Sequence, residues 1–97
     1  MMDAFGTADV ALSAEDAMAA AESLSGGGVA ILGGDVYYKT RHGFELAFAN
    51  WHSDPKAGEV PQAYVARTVQ ETCDYIRRYQ APPNKTPLFS LVVAEVL

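Results

Sequence analysis

The sequence predicts an α+β fold: a small, antiparallel-dominated sheet of three to four strands with two helices packed on one face, in the order α-β-β-α-β. Three observations carry this. Residues 14–24 and 61–79 place apolar side chains at helical spacing. Residues 29–40, 44–49 and 88–94 are rich in β-branched and aromatic residues. A length of 97 residues with 49% apolar content is enough for one core and too small for two. The chain, 1–97, is therefore expected to be a single domain.

Residues 1–12 show no firm periodicity and are expected to form a loosely ordered arm. Ser13-Ala14-Glu15-Asp16 then sets a hydroxyl at an N-cap with a carboxylate three residues on, and Leu12 stands where a hydrophobic staple would. Ala17, Met18, Ala21 and Leu24 share one face of the first helix, which stops at Ser25 before Gly26-Gly27-Gly28. Val29-Ala30-Ile31-Leu32 is apolar on both alternating phases, as in a central strand covered on two sides. Gly33-Gly34 bends that strand before Val36-Tyr37-Tyr38 resumes it.

Arg41-His42-Gly43 is short enough for a hairpin loop, with Gly43 at the position that needs positive φ. In the next strand Phe44, Leu46 and Phe48 alternate with smaller or charged residues and are expected to face the core. Residues 50–60 form a polar loop, and Pro61 suits the first turn of a second helix. Val65, Val69, Thr72, Cys73, Ile76 and Tyr79 follow its repeat, with Arg77 and Arg78 at the dipole's negative end. The last strand, Leu88 to Ala94, is apolar on both phases and is expected inside the sheet. A right-handed crossover lays it parallel to 44–49, with room for the first strand between them.

Seven Lys and Arg against twelve Asp and Glu give a net charge of −5. Such a surface is poorly suited to nucleic acid or anionic lipid, and a basic protein fits it better. The lone Cys73 forms no internal disulfide, the N-terminal residues lack a signal sequence, and no stretch is long and apolar enough to span a bilayer. A cytoplasmic location is expected.

Gly26-Gly27-Gly28 follows a helix instead of opening one, so it reads as a helix stop and not as a phosphate cradle. At Gly33-Gly34-Asp35 the glycines supply backbone freedom and Asp35 is expected to accept local N–H bonds. His52 and Asp54, with His42 from the hairpin tip, offer metal ligands, yet no spacing supplies a reliable third, and no metal or cofactor is expected. Cys73, on the apolar stripe, is core. Trp51 continues the phase of Glu45, Ala47 and Ala49; it is either a half-exposed interface anchor or an aromatic lid over the sheet.

Ile31-Leu32-Gly33-Gly34-Asp35-Val36-Tyr37, then Glu45-Leu46 leading to Asn50-Trp51, then Gly58-Glu59, Tyr64 and Tyr75-Ile76 through Tyr79 together resemble the immunity protein 40 family of bacterial polymorphic toxin and contact-dependent inhibition systems. The resemblance places the family signature on Gly33, Gly34, Asp35, Tyr37, Asn50 and Trp51. It implies a small cytoplasmic α+β protein without catalysis that binds and neutralises a cognate toxin. Toxins delivered between bacteria are often nucleases with basic active sites, so the resemblance together with the acidic charge implies a basic nuclease that the bound chain occludes. The expected contact residues are Asp35, Tyr37, Glu45, Trp51, Asp54 and Glu59. The free chain is expected to be a monomer or a weak homodimer. Two alternatives stand beside this reading: a small metal-dependent hydrolase using Asp35, His52 and Asp54, and a module that self-associates through the Trp51 region.

Overall fold

A computed structural model describes residues 11–96, so most of the expected N-terminal arm lies outside the described residues. Helix α1 (Ala14–Ser25) begins where expected, because Ser13 Oγ accepts the Asp16 N–H at 3.1 Å. It ends as the N–H groups of Gly26 and Gly27 return to Ser23 and Leu24 carbonyls, and Gly28 turns the chain at φ +77°. Strands β1 (Val29–Thr40) and β2 (Gly43–His52) form the hairpin, helix α2 (Pro61–Arg78) follows, and strand β3 (Pro87–Glu95) closes the chain.

The sheet has the order β2-β1-β3, with β1 antiparallel to both neighbours, so β2 and β3 run parallel to each other as the crossover argument requires. Both helices lie on one face. Ala17 and Ala21 of α1 and Ile76 of α2 share a core with Ile31, Val36, Tyr38, Trp51, Phe89 and Leu91. A smaller cluster of Ala30 with Tyr64 and Val65 seals the start of β1, which explains why that segment is buried on both phases.

Three sequence expectations are corrected. Phe44, Leu46 and Phe48 do not face the core; they are 64%, 51% and 90% exposed. Alternation in β2 is real, but the set that faces the helices is Ala47, Ala49 and Trp51. One indole there, stacked on the Tyr75 ring of the helix, fills space that three large side chains would overfill. Next, β3 is an edge strand, not an interior one. Its apolar character has two causes: its inner side chains pack under the helices, and Leu12 pairs with Phe89 by two backbone hydrogen bonds of 2.8 and 2.7 Å. That bridge is also the third correction, since Leu12 is tied to the sheet and is not part of a loose arm.

Strand β1 is irregular at the predicted place. Its register against β3 slips between Ile31 and Gly33. Near this slip the Ile31 N–H donates to Thr68 Oγ1 at 3.0 Å, and Thr68 in turn donates to the Val65 carbonyl. A second irregularity lies in β2: Asp35 pairs with Asn50 and Tyr37 with Leu46, so three residues, Ala47 to Ala49, stand opposite Val36 alone. Phe48 at the crest of this bulge has φ +57°. That left-handed conformation costs a bulky residue roughly 1–2 kcal/mol.

Thr68 is fully buried and supplies the acceptor for Ile31. Thr68→Val should therefore destabilise the fold by about 1–3 kcal/mol, read as a lower urea midpoint at unchanged slope.

Candidate functional site

Gly33, Gly34 and Asp35 on β1 lie directly opposite His52, Trp51 and Asn50 on β2. These positions, with Leu32 and Val92, line a shallow depression of about 260 Å³. Tyr37 lies two residues further along β1, paired with Leu46.

The two glycines are dictated by close approach. A Cβ on Gly33 would stand 2.2 Å from the Trp51 carbonyl oxygen. A Cβ on Gly34 would stand 2.1 Å from the Ser90 carbonyl oxygen and 2.4 Å from Trp51 Cη2. The indole thus lies against bare backbone. Its Nε1–H donates to Thr72 Oγ1 at 3.1 Å, and its ring stacks on Tyr75 at a centroid separation of 4.7 Å. Trp51 is only 9% exposed, which decides between the two expectations against the half-exposed anchor. Its position is that of an aromatic lid between sheet and helix.

Asp35, half-buried, and Asn50, exposed, are left on the opposite, uncovered face. Among the described residues no hydrogen bond reaches the Asp35 carboxylate, so the expected local N–H bonds are not made there.

The remaining acidic candidates are dispersed. Glu45 pairs with Lys85 at 2.5 Å near the hairpin end, where Lys85 also lies over the Tyr38 ring. Glu59 receives a two-pronged hydrogen bond from Arg67, Nε and Nη2 each at 2.8 Å, and one from the Lys56 N–H. Asp54 contributes its backbone carbonyl to the same Arg67 at 2.7 Å. Arg67 further contacts Glu71, which accepts from Ser53 Oγ at 2.6 Å, and Tyr64 OH donates to the Ser53 carbonyl. One guanidinium therefore pins the loop after β2 to the surface of α2. Sequence reasoning missed Arg67; its i,i+4 spacing to Glu71 was the available signal.

The Arg67 hydrogen bonds hold the Glu59 carboxyl down at about 2, and Ser53 and then Arg67 lower Glu71. Burial pushes the Cys73 thiol up, as suits a core residue. Burial and the shared hydrogen bond with Tyr38 push Tyr79 up to about 12. His42 sits at the hairpin tip and His52 at the far end of β2, and among the described residues no three of His, Cys, Asp and Glu converge as metal ligands. Asp35, His52 and Asp54 are not gathered into one cluster.

The model of the family described as immunity protein 40 matches residues 1–93. The chain belongs to the immunity protein 40 family. The match extends the resemblance seen over 29–79 to almost the full chain. Comparison with curated proteins and with solved structures gives no match. Within this immunity protein the positions that carry the resemblance divide between two faces: Gly33, Gly34 and Trp51 join sheet to helix, while Asp35, Tyr37 and Asn50 occupy the open side.

Two outcomes follow. Gly34→Ala should lower stability by about 3 kcal/mol through forced repacking around Trp51, measured by urea unfolding. Glu59 and Glu71 have folded-state pKa values below their ordinary 4.5, so their contribution is complete above that value and is lost as pH falls from about 4.5 towards 2. A carboxyl NMR titration should place the Glu59 midpoint near 2, and Arg67→Met should return it to the ordinary range.

Proposed function

We propose that this chain neutralises a cognate antibacterial toxin by stoichiometric binding, without chemistry of its own, inside the cell that makes both. The observation that carries the reading is the family match over residues 1–93. The toxin is proposed to be a basic nuclease whose active site the bound immunity protein occludes.

Charge distribution supports that partner. Residues 1–38 contain six carboxylates and no Lys or Arg, whereas residues 39–97 are close to neutral. Glu15, Asp16 and Glu22 of this acidic third stand exposed on α1. A one-signed region of this kind raises the encounter rate with a basic protein and depends on ionic strength. No helix of the described residues is long and apolar enough to cross a membrane.

Co-expression with the neighbouring toxin gene should restore growth, and the purified pair should co-elute at one to one. Absence of both a complex and rescue would overturn the reading. Association should slow several-fold between low and physiological salt, measured by stopped flow; a rate indifferent to salt would remove the basic toxin from it.

A further inference from the structure

The covered face of the sheet is fully occupied by α1 and α2, but among the described residues nothing packs on the other face. Along β2, from the hairpin to the bulge, that face is apolar. Phe44, Leu46 and Phe48 on β2 are all more than half exposed, and Val92 on β3 borders the depression opposite His52. Phe48 is the extreme case. It is 90% exposed and held at φ +57°, at the crest of a bulge with two more residues than the opposite strand. Neither feature helps the isolated chain: the ring gains no burial, and the backbone adopts a conformation that bulky side chains avoid. Strain and apolar exposure at one residue together mark a contact made elsewhere.

We propose that the cognate toxin docks on this open face, with Phe48 as its apolar anchor. The inference rests on the toxin-neutralising reading above and specifies where it acts. The occupant is a basic protein that carries an apolar cleft for Phe48. Net charge selects it over a second copy of the chain at range, because two copies each bearing −5 repel whereas a basic partner is attracted. The surplus carboxylates Glu15, Asp16 and Glu22 stand on α1 and not on this face. The rim adds local detail of mixed sign. Lys39 and Arg41 are exposed at the hairpin end without an ion-pair partner among the described residues, and Asp35 lies towards the opposite end of the face. The toxin's cleft is accordingly flanked by carboxylates on the hairpin side and by a base on the Asp35 side.

The test compares wild type, Phe48→Asn and Arg41→Glu against the purified toxin domain encoded by the neighbouring gene, using calorimetry and thermal unfolding. Asparagine tolerates the left-handed conformation, so Phe48→Asn should raise the unfolding midpoint while weakening toxin binding on the order of 30-fold. Loss of binding with a gain in stability separates docking from folding. Arg41→Glu should weaken binding on the order of 10-fold through like-charge contact. Wild-type binding with an unchanged affinity for Phe48→Asn would overturn the docking face and leave the toxin-neutralising reading standing. A wild type that does not bind overturns that reading itself. Sedimentation of the free proteins completes the comparison: a wild-type dimer that Phe48→Asn dissolves, with toxin affinity unchanged, assigns the face to a second copy and overturns the proposal.

Discussion

The placement of one indole against one glycine organises much of this molecule. Trp51 comes from the edge strand β2, crosses over Gly34 of the central strand, and reaches α2 through Thr72 and Tyr75. Edge strands are the least constrained parts of a sheet, and among the described residues β2 has no neighbour on its outer side. The indole joins it to the helix layer by stacking, by a hydrogen bond that satisfies the only buried indole N–H, and by filling the volume that a missing Cβ leaves. The facing of β2 follows from this contact. Once Trp51 turns towards the helices, Ala47 and Ala49 must follow, and the larger side chains are left on the other side.

Local signals were the legible ones. The Ser13 cap, the glycine stop after α1, the hairpin at Arg41-His42 and Pro61 at the start of α2 depend on neighbours within four residues, and each stands where the sequence places it. The facing of β2 was not legible, because a two-residue period defines two faces without saying which one is buried. Size suggested the phenylalanines, but the choice was made by Gly34, a residue in another strand that alone admits an indole at that distance. The place of β3 was misread for a similar reason. Apolar residues on both phases arise from an interior position, or from an edge that meets helices on one side and the Leu12 segment along its margin.

For the site, the Gly-Gly-Asp and Asn-Trp positions were visible only as a family pattern, since spacing alone gives no reason for 34 and 51 to be linked. The structure supplies one for the glycines and the tryptophan. The Arg67 cluster was hidden because its partners Asp54, Glu59 and Glu71 come from a loop and a helix whose relative position is a tertiary fact. It also changes the meaning of the acidity. Glu45 and Glu59 are each matched by a base, so the unbalanced charge resides chiefly in the N-terminal third and acts at range, while the open sheet face is mainly apolar.

The bulge in β2 adds two residues, and two is the period of a strand. Phe44 and Leu46 on its hairpin side therefore stay on the same face as Asn50 and His52 beyond it, and Trp51 keeps its inward aim. A chain with two residues fewer would close the strand into a regular ladder with every side chain on its present face. A chain with one residue fewer would leave an ordinary one-residue bulge, with Leu46 still opposite Tyr37 and on its face. The number of residues at this crest can therefore change without turning over either half of β2, because each half is held to its face by its partners on β1.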